Sequence, residues 1–296
     1  MRTYSFVTVD VFTSTRFGGN PLAVFPDAKG MSDAEMQSLA AEFNLSETTF
    51  VLPPEDPAHT ARVRIFTRTR EMPFAGHPNV GTAYVLAQQG RDTNGKLLFE
   101  ELAGLVEIDV ERDGSGAPIG ATIAAPQPLS LGAELPVEAV AACVGLQPAD
   151  IRTGAHRPVG ASLGNPFVIA EVEPSALSRA TPDFASFRQA LEQTPSLDGR
   201  LALYCYAHAG EGSVQARMFA PLGGTIEDAA TGSAAGPLGA LLLSLSEAAA
   251  LRLDIHQGVV MGRPSLLRVV ARRGADGIRA TIAGQCVPVL RGEAVL

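Results

Sequence analysis

Gly19-Asn20-Pro21-Leu22-Ala23-Val24 returns 145 residues later as Gly164-Asn165-Pro166-Phe167-Val168-Ile169. Arg64-Ile65-Phe66-Thr67 returns 153 residues later as Arg217-Met218-Phe219-Ala220. Each Arg-x-Phe run is followed by an acidic loop and then by a turn of small residues, Ala75-Gly76-His77-Pro78 or Ala230-Thr231-Gly232-Ser233. Each turn leads into a helix rich in Ala, Leu and Val. Three landmarks in the same order and at similar spacing predict two copies of one αβ unit.

The pattern around these landmarks is mixed α and β. Tyr4–Phe12 alternates with the period of a half-buried strand, and Leu22–Phe25 is a short apolar strand closed by Pro26-Asp27. Ser32 and Glu35 then form a capping box for a helix that carries Met36, Leu39, Ala40 and Phe43 on one face. Strands follow at Thr48–Leu52 and Ala61–Thr67, then a loop over Arg68–Pro78 and a helix from Asn79 to Gln89. Leu97–Phe99 and Leu105–Val110 read as a hairpin, with Asp113–Gly116 as the next turn. Gly and Pro are spread along the chain, and no flexible linker marks a boundary.

Composition narrows the function classes. The chain has 296 residues, 46% of them hydrophobic and 18% charged, enough to bury a sizeable core. A net charge of -8 gives no general attraction to nucleic acid or to an anionic membrane. Cys143, Cys205 and Cys286 are odd in number and widely spaced, with no CxxC pair and no metal-ligand cluster, which favours a reducing compartment. The alternating N-terminus does not read as a signal peptide, and Leu238–Leu245 is too short to span a bilayer. The expectation is a soluble, cytoplasmic globular protein.

The two turns carry the chemistry. Glycine before a helix allows a sharp entry and leaves the first helical N–H groups unpaired. With the positive end of the helix dipole, these donors suit a carboxylate or a developing oxyanion. Read singly, Gly76-His77 and Gly232-Ser233 are ordinary helix caps, Ser being a common N-cap residue; as a pair they become candidate anion sites for a small acidic molecule. Glu47, in Asn44-Leu45-Ser46-Glu47-Thr48-Thr49-Phe50, is either a half-buried proton shuttle or a solvated turn residue. Asp228 follows Glu227 and is either functional or a helix-capping acid, and His77-Pro78 is either a donor or a structural turn. His59, His156, His208 and His256 show no metal spacing. Thr231-Gly232-Ser233-Ala234-Ala235 lacks the second glycine of a nucleophile elbow. No P-loop or dinucleotide fingerprint is present, so no cofactor is implied.

The chain resembles the phenazine-biosynthesis PhzF-like isomerases of the diaminopimelate epimerase-like superfamily. The resemblance lies in Val9-Asp10-Val11-Phe12, Phe17-x-Gly19-Asn20-Pro21-Leu22-Ala23-Val24 and Asn44-Leu45-Ser46-Glu47-Thr48-x-Phe50-Val51. It continues through Arg64-Ile65-Phe66-Thr67, Glu71-Met72-Pro73-Phe74-Ala75-Gly76-His77-Pro78 and Arg217-Met218-Phe219-Ala220-Pro221. It ends with Glu227-Asp228-x-Ala230-Thr231-Gly232-Ser233-Ala234 and Gln257-Gly258-x-x-Met261-Gly262-Arg263-Pro264-Ser265. These stretches run in order over nearly the whole chain.

The resemblance implies an α+β fold of two pseudo-symmetric halves, each a β-barrel-like sheet around a central helix, with the active site in the cleft between them. The implied boundaries are 1–125 plus 283–296 for one half and 126–282 for the other. Racemases of the superfamily carry a cysteine at the head of each turn; the matching places here are Ala75 and Ala230, which argues against a two-thiol mechanism. The resemblance implies instead that Glu47 moves a proton between two carbons of a small unsaturated cyclic acid, an allylic isomerisation without cofactor or metal. It assigns Glu47, His77 and Asp228 to catalysis, and Asn20, Gly76, Gly232 and Ser233 to substrate binding. It also implies a homodimer. Ala229 stands where the family has proline, which loosens the Asp228 loop and adds one N–H donor. Two other readings remain: a ligand-binding or interaction module on the same fold, and an epimerase or racemase using carboxylates.

Overall fold

Nine residues of alternating character, Thr3–Val11, form β1, and its last four are buried because both faces of the strand are covered. Phe12 ends it by adopting a positive φ of 66°. The computed structural model describes residues 1–296, which divide into Met1–Ala124 with Ala283–Leu296 and Ala125–Ile282. In the first unit β1 is followed by β2 (Asn20–Phe25), α1 (Asp33–Phe43), β3 (Thr48–Leu52), β4 (Ala61–Phe66) and β5 (Glu71–Met72). Then come α2 (Gly76–Gln88), β6 (Lys96–Glu101), β7 (Gly104–Arg112) and β8 (Pro118–Ala124). The second unit begins with β9 (Ser130–Glu134), α3 (Val137–Cys143), β10 (Ile151–Arg152), β11 (Val159–Ser162) and β12 (Pro166–Val172). It continues with α4 (Pro174–Leu177), α5 (Phe184–Gln193), β13 (Leu203–Gly210), β14 (Ser213–Ala220) and β15 (Thr225–Asp228). After α6 (Gly232–Ser244) come β16 (Ala250–Gln257), β17 (Ser265–Gly274) and β18 (Gly277–Val295), the last of which belongs to the first unit from Ala283 onward.

The first unit is a closed barrel. β1 pairs antiparallel with β2, β2 parallel with β3, β3 antiparallel with β4, and β4 parallel with β6. β6, β7 and β8 form an antiparallel meander, and β18 closes the ring by joining β8 to β1. Closure leaves no edge for further pairing. α2 is buried from Gly76 to Ala87 and packs against β8, β2, β1, β7 and β3, so it is the barrel's core. Gly81 makes this approach possible. A Cβ there would stand 2.6 Å from Leu22 Cδ2 and 2.8 Å from Val11 Cγ2.

Outside the barrel, α1 covers a second cluster. The capping box at its start is formed, Ser32 accepting from the Glu35 N–H while the Glu35 carboxylate accepts from the Ser32 N–H. Met36 and Ala40 are buried there among Phe25, Phe50 and Phe66, with Phe25 stacked on Phe50 at 5.0 Å. β3 is therefore covered on both faces. Thr49 bonds to Thr82 of α2 at 2.8 Å, and Phe50 enters the α1 cluster.

The second unit repeats the pairing order. β12, the second Asn-Pro strand, pairs antiparallel with β11 and parallel with β13, as β2 does with β1 and β3. β14 pairs antiparallel with β13 and β15 and parallel with β16, as β4 does with β3, β5 and β6. α6 packs on β17, β16, β11 and β12. Each Arg-x-Phe strand also carries the same clamp. Arg64 makes two bonds to Glu71, at 2.7 and 2.6 Å, with its guanidinium 5.0 Å from the Phe66 ring. Arg217 makes two bonds to Glu227, both 2.8 Å, and lies 4.9 Å from the Phe219 ring. The clamp ties the Arg strand to the short strand that leads into the buried helix.

Two elements differ from expectation. Inside the supposed loop 68–78, Glu71-Met72 forms β5, held by pairing with Ile65 and Phe66. α2 begins at Gly76 and not at Asn79, because Pro78 falls in the first turn, where its missing N–H costs no helical bond.

Candidate active site

Two buried helix starts present the sequence's candidate residues, one in each unit. In the first, the N-cap of α2 is Ala75, in extended backbone and with no side-chain cap. Gly76 and His77 are the first two helical residues, and Pro78 supplies no N–H, so the first turn keeps few but unblocked donors. Asn79 turns back and donates Nδ2 to the Ala75 carbonyl at 3.2 Å, closing the turn from below.

Glu47 comes from the connection between α1 and β3. Asn44 caps α1 in the left-handed region, at φ 53°, and sends the chain back toward β3. Ser46 then donates to the Asn20 Oδ1 at 3.3 Å, and Asn20 itself is 1% exposed at the head of β2. This places Glu47 one residue before β3, with its side chain 18% exposed and one carboxylate oxygen 3.5 Å from His77 Nδ1. Burial pushes His77 down to about 3, so the imidazole is neutral at neutral pH even beside a carboxylate. Its Nε2 is buried without a hydrogen-bond partner. A carboxyl group next to a neutral imidazole can gain or lose a proton without creating a buried imidazolium.

In the second unit the N-cap of α6 is Thr231, also without a side-chain cap, followed by Gly232 and Ser233. Ser233 is thus the second helical residue, the position His77 holds on α2, and the simple N-cap reading of Ser233 does not hold. Pro237 inside α6 removes the N–H that would bond the Ser233 carbonyl. Asp228, the last residue of β15, accepts a bond from the Thr231 hydroxyl at 2.7 Å. Ala229 is 3% exposed, and its carbonyl accepts from Ser265 Oγ at 2.9 Å. The loosening expected from alanine at this place is countered by that bond.

The structure therefore brings Glu47, His77, Gly76 and Asn20 into one neighbourhood of the first unit, and Asp228, Gly232 and Ser233 into one turn of the second. Sequence reasoning missed Ser46, Thr231, Ser265 and the role of Gln257. Ser46 bonds to the Asn20 side chain, Thr231 to the Asp228 carboxylate three residues before it, and Gln257 and Ser265 to backbone carbonyls far away in the chain, so residue type alone does not assign these roles. All three cysteines are buried and unpaired. No group of three His, Cys, Asp or Glu is arranged to hold a metal ion, and no helix is long and apolar enough to cross a membrane.

A two-unit α+β chain, each unit folding a sheet against a buried helix with an uncapped glycine start, defines the diaminopimelate epimerase-like class. The family model described as phenazine biosynthesis-like protein matches residues 9–292, and the chain belongs to this family. It is 36% identical over 298 residues to a trans-2,3-dihydro-3-hydroxyanthranilate isomerase of Pseudomonas chlororaphis, covering 99% of this chain and 100% of the relative. An uncharacterised isomerase of Mesorhizobium japonicum is 38% identical over 303 residues, covering 99% of each. A solved PhzF-family phenazine biosynthesis protein of Bacillus anthracis superposes with a TM-score of 0.88 at 27% identity, covering 100% of both chains. The protein is an isomerase of this family.

Proposed function

We propose that the protein catalyses an allylic proton shift on a small unsaturated cyclic carboxylic acid, with Glu47 as the single acid/base. One observation carries this reading: the Glu47 carboxylate lies 3.5 Å from a neutral, buried His77 at the uncapped start of α2. Glu47 takes a proton from one carbon, and the electron pair of that C–H bond becomes a new double bond. The old double bond shifts, and the far carbon takes the proton back from Glu47. Substrate and product are isomers, so no redox partner enters. Unpaired N–H groups of the first turn stabilise negative charge that spreads into the conjugated acid. His77 keeps the carboxyl oriented, and its neutrality lets one group act as base and then as acid.

The same proposal gives Asp228 a part in catalysis and Asn20, Gly76, Gly232 and Ser233 the binding of the acid's polar groups. It also takes the protein as a cytoplasmic homodimer, read by light scattering and by fractionation. The test is NMR of trans-2,3-dihydro-3-hydroxyanthranilate in D₂O with wild type and Glu47→Gln. A double-bond shift with deuterium uptake, lost in Glu47→Gln, supports the reading. Deuterium uptake at a stereocentre without a shift supports an epimerase. Neither signal rejects this substrate and raises the binding-module reading.

A further inference from the structure

We infer that Gln257 is the positioning residue of the second helix start, setting the Asp228 carboxylate and the first N–H groups of α6 through one buried amide. Its bearing on turnover rests on the function proposed above, whereas the positioning itself does not.

Gln257 ends β16 and is completely buried. Its Oε1 accepts from the Tyr204 hydroxyl at 3.0 Å and from the Thr231 N–H at 3.1 Å. Its Nε2 donates to the Asp228 carbonyl at 2.9 Å and to Thr231 Oγ1 at 3.0 Å. Both oxygen lone pairs and both amide hydrogens are used, so the side chain is fully satisfied. Its orientation is also unique. Exchanging oxygen and nitrogen would set two acceptors against each other at Asp228 and two donors against each other at Thr231 N.

That fixed direction passes along the network. Because Nε2 can only donate, the Thr231 hydroxyl accepts there and gives its own hydrogen to the Asp228 carboxylate, 2.7 Å away. Tyr204 stays a donor, since burial and the nearby Asp228 charge push its phenol up. The amide therefore holds Asp228 at its backbone directly and at its carboxylate through Thr231. It also occupies the N–H of the N-cap residue, which leaves Gly232 and Ser233 as the first free donors of the helix.

The chain after Gln257 completes the brace. A Cβ on Gly258, at φ 71°, would stand 2.6 Å from the Ala229 carbonyl and 2.4 Å from the Arg263 carbonyl. Only glycine lets 257–265 lie against the 228–231 turn this closely. Ser265 then holds the Ala229 carbonyl. In a chain with alanine at 229, these side chains supply the restraint that a proline ring would otherwise give.

The test uses full-length protein with Gln257→Leu and with Thr231→Val, the second removing the hydroxyl relay, and with it one acceptor of the Gln257 amide, in a similar shape. Three readouts are taken: melting temperature, amide hydrogen exchange of the peptide spanning 225–235, and kcat and KM on trans-2,3-dihydro-3-hydroxyanthranilate. We expect faster exchange of that peptide in both variants, and kcat/KM lower by about 10- to 100-fold, mostly in kcat. Combining each with Asp228→Asn is expected to add little further loss, because both act through one carboxylate. Unchanged exchange in folded Thr231→Val and Gln257→Leu overturns the inference, as does an additive loss with Asp228→Asn. Faster exchange in a protein whose wild type does not turn over the probe supports the positioning and rejects the proposed substrate instead.

Discussion

His77 turns Nδ1 toward the Glu47 carboxylate at 3.5 Å while its Nε2 is buried without a partner, so a neutral ring and an acid share one wall of the first unit. Neutrality there has a cost that depends on pH. Burial puts the folded-state value near 3 against an ordinary 6.5. Between those values the unfolded chain binds a proton that the folded protein refuses, so stability is full above about pH 6.5 and falls as pH drops toward 3. His77→Gln removes this loss. At pH 4.5, two units below the ordinary value, the variant should be less acid-sensitive than wild type by up to about 3 kcal/mol, taking about 1.4 kcal/mol per pKa unit. Urea unfolding at pH 7 and pH 4.5 checks it, and equal acid sensitivity would refute it.

Glu101, the last residue of β6, has the opposite sign. Burial pushes its carboxyl up to about 8, against a bond from Asn79 that lowers it, and neither oxygen has a well-formed hydrogen-bond partner. The unfolded chain loses this proton from about pH 4.5 upward while the folded protein keeps it to about 8, so stability declines across that window. Glu101→Gln should melt with wild type at pH 4.5 and several degrees above it at pH 8.5. A melting difference that does not grow with pH would count against a protonated Glu101.

The repeated clamps differ in their reserve. Arg64 has Asp33 as a second carboxylate, whereas the remaining donors of Arg217 go to the carbonyls of Leu177, Ser178 and Ala180. Glu227→Gln therefore strands a buried cation and should cost about 3 kcal/mol. Glu71→Gln should cost markedly less. Denaturant midpoints of the two variants, measured side by side, decide whether the second carboxylate matters.

Gly81 is where α2 meets β1 and β2. Gly81→Val improves helix propensity slightly but drives its Cβ into Leu22 and Val11. Overpacking wins, and the loss should be about 1–3 kcal/mol or more. The same change at Gly90, where a Cβ meets nothing within 4 Å, separates steric cost from backbone cost, since that glycine sits at φ 69° and not in the helix.

Much of this was legible in residues alone. The Gly-Asn-Pro and Arg-x-Phe landmarks are local, and each marks a strand whose pairings recur in both units. The capping box of α1 is written in four consecutive positions and forms as read. Less was legible around the turns. β5 is two residues long and exists only because β4 and the Arg64–Glu71 clamp hold it, so no periodicity could reveal it. Ser233 reads as an N-cap by residue type, yet the N-cap is Thr231, two residues earlier, because Gly232 adopts the first helical position.

The duplicated αβ plan, the glycine-bearing turns before both buried helices and the residue types available for proton transfer are written in the chain, since these rest on neighbours within a few positions, whereas the exact helix starts at Gly76 and Gly232 are not. The neutrality of His77, the approach of Glu47 to it and the four bonds of Gln257 come from the folded arrangement. Glu47 and His77 lie 30 residues apart in the chain, and Gln257 lies 26 beyond Thr231. Desolvation and hydrogen-bond geometry depend on what surrounds a group in space, and the packing of strands around α2 in the first unit and around α6 in the second brings those surroundings together.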